Sequence, residues 1–310
     1  MEDARQFMDR VHEVAQRASK SVKAKPEKAL KLKVIQQLML WSDKVRGLPN
    51  SLARCALFTV GNRNEPRRMY AREVIASLQG IVIQYTGEEL RQDDEDVFLQ
   101  IVHLGRMVDV GEPFVVTGHM VLTALGWGRS SDKYKRLLES IGRLSEGTIW
   151  VTYTNEDEVE ASVAAGAAAP KRKRNGYNGR LIAKLKWREE GEESEQGKHV
   201  KWQFRLDPDI INLFGKDEFT LVDWEQRLSL TSLEKWLHSF YFTHREPYAY
   251  KTSTLYTLCG SSCATLAKFR YMLKGALRNL EESGFFESAS IDPRTDLVQV
   301  KRRRQTAIAA

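Results

Sequence analysis

The chain contains no run of eighteen apolar residues, so no segment is long enough to cross a bilayer as a helix. Its opening stretch, MEDARQFMDRVHE, carries charge where a secretion signal would be apolar. Both absences predict a cytoplasmic protein without a membrane partner. Cysteine is scarce, and three residues, an odd number, do not build a disulfide framework. Cys259 and Cys263 are close in sequence, but no His or further Cys stands nearby to complete a zinc site. They read as small buried side chains at a turn. The phosphate-loop pattern GxxxxGK[ST] is missing. The six histidines (His12, His103, His119, His199, His238 and His244) include no HxH or HExxH spacing. Asp93, Asp94, Glu95 and Asp96 could suggest a metal-dependent nickase. Consecutive carboxylates on a helix point around it and do not converge on one ion, and they suit the positive end of a helix dipole. The expectation is a protein that is not an enzyme, with no catalytic residue, metal or cofactor.

What the chain does have is size, charge and a repeat. At 310 residues, 42% of them apolar, it can bury two cores. A mean hydropathy of −0.45 suits a globular protein that is neither membrane-embedded nor mainly disordered. The formal charge is +7, and Lys251 to Ala310 holds ten Lys/Arg against five Asp/Glu, a local excess of +5. A basic end on an otherwise balanced chain predicts a polyanionic partner.

The repeat is helix, tight turn, second helix, then strands. Copy one starts at Glu112-Pro113-Phe114, with a helix from Thr117 to Leu125 and a turn at Gly126. A second helix follows from about Ser131 to Ser145, then a strand from Thr148 to Tyr153. Copy two starts at Glu246-Pro247-Tyr248, with a helix from Thr252 to Leu258 and a turn at Cys259-Gly260. Its second helix runs from Cys263 to about Glu282 and stops at Gly284, before Phe285-Phe286 and a Leu297 to Val300 strand. Two helices joined by a glycine-containing turn and flanked by strands make a winged helix-turn-helix. The predicted fold is therefore α+β, with tandem winged-helix domains directed at duplex DNA.

Domains follow from composition. Residues 1–50 read as a mobile N-terminal arm, and residues 51–205 as the first winged-helix domain. Within it, Ile81 to Thr86 reads as a strand and Asp93 to Val108 as a helix. An alanine-rich basic insertion, 161–179, forms a long wing, and further strands are expected at Leu181 to Trp187 and Val200 to Arg205. Residues 206–304 read as the second domain, with a helix from Asp209 to Phe214, a Phe219 to Val222 strand and a Thr231 to His244 helix. Residues 305–310 are a tail.

Helical geometry divides each second helix into faces. Measured from Lys268, Phe269, Leu273, Ala276 and Leu280 fall between about 80° and 140°, while Lys274, Arg278 and Tyr271 fall between about 240° and 300°. Arg270 lies near 200°, at the margin of that cationic face. In a helix-turn-helix this helix enters the major groove, where Arg and Lys reach guanine O6 and N7 or phosphates. In copy one, Leu137, Leu138, Ile141 and Leu144 form the core stripe, and Lys135, Arg136 and Arg143 lie opposite. The run Lys171, Arg172, Lys173 and Arg174 could track phosphates or enter a minor groove. A second run, Lys301, Arg302, Arg303 and Arg304, follows the last strand and would add nonspecific affinity.

Several strings then become recognisable together. Cys55-Ala56-Leu57-Phe58-Thr59, Tyr85-Thr86-Gly87-Glu88-Glu89-Leu90-Arg91 with Asp93-Asp94, and Leu125-Gly126-Trp127 resemble the TrfA family of plasmid replication initiators. So do His244-Arg245-Glu246-Pro247-Tyr248 and Leu258-Cys259-Gly260-Ser261, in matching order from about residue 37 to residue 301. The resemblance implies an initiator with two winged-helix domains that binds directly repeated iterons at a plasmid origin as a monomer. It also implies origin opening, recruitment of the host initiator, replicative helicase and polymerase components, and a homodimer inactive for initiation. Gln37-Leu38-Met39-Leu40-Trp41 is similar to the QLxLF-type peptide by which the family engages the bacterial sliding clamp. Gln37 would bond the pocket rim while Leu40 and Trp41 anchor in an apolar cleft, with Leu38 the remaining clamp-binding candidate of the motif. A helix packing Leu38 and Trp41 on the core is the structural alternative. A winged-helix repressor acting on its own operator is the alternative function.

Overall fold

The computed structural model describes residues 38, 40–62, 64–78, 80–153, 176–190, 199–214 and 218–303. Residues 1–37, the insertion up to residue 175, the Lys171 to Arg174 run, Gln37, Met39 and residues 304–310 lie outside the described residues. No helix among the described residues is long and apolar enough to cross a membrane.

Strand β1 (Val45–Pro49) leads into the short helix α1 (Asn50–Ala53) and strand β2 (Phe58–Thr59). Then come β3 (Met69–Ile75), β4 (Ile81–Glu88), β5 (Leu90–Arg91) and helix α2 (Gln92–Gly105). Strand β6 (Phe114–Thr117) precedes the helix pair α3 (Gly118–Ala124) and α4 (Ser131–Glu146). Strands β7 (Thr148–Tyr153), β8 (Gly176–Gly179), β9 (Lys184–Glu190) and β10 (His199–Arg205) follow, then a 3-10 turn (Pro208–Phe214), β11 (Phe219–Asp223) and α5 (Trp224–Ser229). The last part is α6 (Ser232–Phe242), β12 (Tyr250–Lys251), α7 (Thr252–Leu258), α8 (Leu266–Glu282), β13 (Phe286–Ile291) and β14 (Leu297–Arg302).

The sheet pairings expose a duplication. The order helix, strand, helix, helix, hairpin occurs as α2-β6-α3-α4-β9-β10, with β7 and β8 inserted before β9, and again without interruption as α6-β12-α7-α8-β13-β14. In both, the last hairpin strand lies between the first strand and its hairpin partner, giving sheet orders β6-β10-β9 and β12-β14-β13. Both helix pairs turn in the same way. The Gly126 amide bonds the Thr123 carbonyl at 3.1 Å and the Trp127 amide bonds that of Leu122 at 2.9 Å, while Gly260 and Ser261 repeat this onto Thr257 and Tyr256. This is the Schellman closure, and it requires the left-handed conformation that Gly126 (φ 65°) and Gly260 (φ 58°) adopt.

Three boundaries differ from the sequence reading. First, the Thr148–Tyr153 strand does not flank helix α4 in a wing. It pairs with β4 and β8 in the four-stranded sheet β3-β4-β7-β8, and β9-β10 is this copy's hairpin. The insertion therefore joins β7 to β8 and is not the wing of that hairpin. Second, the segment from residue 206 to Trp224 belongs to the first half. β11 pairs along all of β1, and Leu206, Ile210, Leu213, Phe214, Val222 and Trp224 join the first core. The second core begins at Leu233, around Trp236, Phe240, Leu255, Phe269, Leu273 and Phe286.

Third, the arm reading fails from Leu38 onward. Leu38 and Trp41 are 3% and 4% exposed, and β1 is buried along its length. Trp41 stacks on Phe214, and its indole donates to His103 Nδ1 at 2.9 Å. Asp43 accepts from Arg106 at 2.6 Å and contacts His103 Nε2 at 3.2 Å, closing the cluster. Of the described residues in the clamp-like string, Leu40 alone is exposed. An indole buried in this way cannot also be a free anchor.

The two cores meet at Arg227, which is fully buried. Its Nε bonds Asp96 at 2.7 Å, its Nη2 bonds Glu95 at 3.0 Å, and its Nη1 donates to Ser239 of α6 at 2.6 Å. Lys235 reaches the other Asp96 oxygen at 2.5 Å. Burial depresses the Arg227 pKa, but Glu95 and Asp96 outweigh it and raise the net value. Further ties cross the boundary: Val60 N–H to the Cys259 carbonyl at 3.0 Å, Trp236 Nε1 to that of Cys55 at 3.3 Å, and Arg54 Nε to Thr243 Oγ1 at 2.9 Å.

Replacing Arg227 with Met strands two buried carboxylates and should cost about 3–5 kcal/mol in urea denaturation. Trp41→Ala should cost about 3–5 kcal/mol by the same measurement, whereas a free anchor would leave stability unchanged. Burial holds His103 down at about 4 and His238 at about 3. The unfolded chain therefore binds protons that the native state does not, and stability should fall as pH drops below about 6.5. The loss should be smaller in His103→Asn.

Candidate nucleic-acid interface

Helix α8 is set by its own sequence. Thr265 caps it, its hydroxyl accepting the Lys268 amide at 3.2 Å. Phe269, Leu273, Ala276, Leu277 and Leu280 are buried, as the helical spacing requires. The opposite face is open: Lys268, Tyr271, Lys274 and Arg278 are exposed, Tyr271 by 80%. Among the described residues the Lys274 ammonium has no carboxylate within ion-pair distance, and Arg278 has only an exposed approach of 3.8 Å to Glu282. Such a pair is worth little in water. Lys268 also lines a groove of about 450 Å³ that opens between the halves beside Asn62, Thr231, Ser261 and Ser262.

Arg270 belongs elsewhere. Its Nε bonds Asp296 at 2.9 Å, and Thr252 Oγ1 donates to the same carboxylate oxygen at 3.0 Å. The Arg270 hydrogen bond holds the Asp296 carboxyl below its usual range and raises Arg270. The residue thus pins the β13-β14 turn to α7 and α8.

The first copy departs further from expectation. Leu137, Ile141 and Leu144 are buried, but Leu138 is 48% exposed and lies outside the core stripe. Arg143 is buried, with Nη2 2.8 Å and Nε 3.1 Å from Asp94 Oδ1. Burial lowers its pKa, and Asp94 more than restores it. Arg136 bonds Asp93 at 3.0 Å and lies 3.9 Å above the Trp127 ring. Burial raises the Asp93 pKa, but Arg136 and Arg67 outweigh it and hold the carboxyl low. Of the three cations expected on the DNA-facing side of α4, Lys135 alone is exposed and clear of these carboxylates. The acidic cluster is the reason: each carboxylate at the start of α2 claims an arginine, with Asp93 and Asp94 facing α4 and Glu95 and Asp96 facing Arg227.

At the chain's basic end, Lys301 pairs with Glu287 at 2.7 Å on the surface. Arg302 is half-buried, donating to the Phe242 carbonyl at 3.0 Å and lying 5.5 Å over its ring. Arg303 is exposed. One cation escaped the sequence reading. Arg294 is exposed at the tip of the β13-β14 hairpin, where Asp292 accepts the amides of Arg294 and Thr295 at 2.7 and 3.1 Å. The Asp-Pro-Arg-Thr string between two strands was the available signal. Among the described residues no group of His, Cys, Asp and Glu could hold a metal ion.

The geometry of α8 can therefore offer exposed cations and an aromatic ring to a polyanion, while α4 offers little. A solved structure shares this fold. A crystal structure of domain 2 and domain 3 of RctB superposes with a TM-score of 0.56 at 17% identity, covering 83% of this chain and 99% of that one. A looser overlap, TM-score 0.42 at 12% identity, covers 66% of this chain and 88% of a Pi initiator protein crystallised with iteron DNA. The plasmid replication initiator protein TrfA of Escherichia coli is 29% identical over 264 residues, or 84% of this chain. The match spans 63% of that protein's length. The family model described as TrfA protein matches residues 3–165 and 151–302, and the chain belongs to that family.

Proposed function

We propose that this chain is a plasmid replication initiator that binds directly repeated iterons at an origin through two winged-helix modules. The exposed face of α8 carries the reading: Tyr271, Lys274 and Arg278 stand clear of the core, and neither basic side chain is held in a buried ion pair. In this reading α8 enters the major groove, and Lys274 and Arg278 reach guanine edges or phosphates. Arg294 and Lys301 on the hairpin, with Arg303 beyond it, add backbone contacts beside it.

The first module contributes differently. Its arginines support the fold through Asp93 and Asp94, so Lys135 is the contact expected from α4. The protein acts as a monomer by binding and deforming DNA, with no catalytic step of its own. Recruitment of the host initiator and helicase, and a homodimer inactive for initiation, belong to the same reading and rest on family membership. Clamp binding through Trp41 is not part of it, because that side chain is built into the first core.

Lys274→Ala with Arg278→Ala should weaken binding to origin repeats by roughly 1–3 kcal/mol for each base-edge interaction removed, measured by fluorescence anisotropy. Wild-type protein should prefer direct repeats over the same half-sites inverted, because two unlike modules impose a polarity on each site. Stronger binding to inverted repeats would instead indicate a dimeric repressor.

A further inference from the structure

Gly275 stands in the middle of the 17-residue helix α8, where the fold gives no reason for glycine. Relative to alanine, a mid-helix glycine costs roughly fivefold in the folding equilibrium, because the unfolded chain gains freedom. Several other glycines have visible causes, although Gly128 and Gly142 share the open surroundings of Gly275. Gly126, Gly260 and Gly284 adopt positive φ. Gly47, Gly105 and Gly118 lie against side chains that a Cβ would meet at 2.8 to 2.9 Å. Gly275 has neither excuse: a Cβ there would meet nothing within 4 Å.

Its surroundings point outward. Tyr271 is one turn before it, Lys274 is adjacent and Arg278 is nearly one turn after, all exposed. The missing Cβ leaves a bare strip of helix backbone bounded by an aromatic ring and two cations. That shape and charge suit a polyanion that comes into van der Waals contact with the helix itself.

We infer that Gly275 is the point of closest approach between α8 and DNA, where a sugar or base edge packs on the helix backbone. Tyr271 and Arg278 flank that contact along the groove. The inference rests on the proposed DNA-reading role of α8 and adds to it a position where any side chain, even a methyl, excludes the duplex.

Opposite effects in two readouts test it. In the full-length chain, Gly275→Ala should raise the melting temperature by about 2 °C through helix propensity alone. The same variant should bind a fluorescent duplex carrying the origin repeats at least about tenfold more weakly. Unchanged or tighter binding overturns the inference. So does a fall in both melting temperature and affinity, which would place the clash inside the protein. Gly142→Ala is the control: its Cβ also meets nothing within 4 Å, but it lies on α4 beside exposed Glu139 and Glu146. It should gain stability and bind as wild type. Normal binding by the Lys274→Ala, Arg278→Ala double variant would reject the role of α8 itself, a result separable from the fate of Gly275.

Discussion

The Arg227 guanidinium bonds carboxylates that begin one module's first helix and a hydroxyl on the first helix of the other. Taking such a charge out of water is expensive, and it is tolerated only when most of its donors are matched. Here Asp96, Glu95, Ser239 and Gln92 supply acceptors, so the site is satisfied only when both halves are in place. Two cores that each bury their own apolar faces would otherwise need little from one another. The ion cluster makes their junction specific, and the bonds from Val60, Trp236 and Arg54 extend it.

The same acidic turn makes the modules unequal. Their three-stranded sheets match in order, and a glycine closes both α3 and α7. Yet α2 carries the acid run Asp93 to Asp96, three of them in its first turn, and α6 has Glu234 alone in its first turn, engaged with Asn279 and the Thr231 amide. In the first module the arginines of the second helix are drawn inward onto Asp93 and Asp94. The second module's first helix carries no such run of acids, and the cations of α8 remain outside. The same helix pattern thus serves one module as internal bracing and leaves the cations of the other exposed.

Much of this was legible along the chain. The core stripe of α8 follows from helical spacing, and both turns follow from glycine. The strand at Phe219 was visible too, but its allegiance was not. Pairing with β1 joins distant segments, and local pattern says nothing about which edge a strand will find. Trp41 shows the limit in reverse. A short string resembling a docking peptide is also a short apolar string, and only the proximity of Phe214 and His103 makes it core.

The order of residues therefore determined the periodic faces, the turns, the cationic end and the duplicated helix pairs, because each arises within a few residues along the backbone. Tertiary structure decided which arginines stay available. Arg136, Arg143 and Arg227 look alike on a helical projection, and each is claimed by a carboxylate on α2, distant in sequence. Charge is a property of the residue, but the freedom of that charge depends on what folding places beside it.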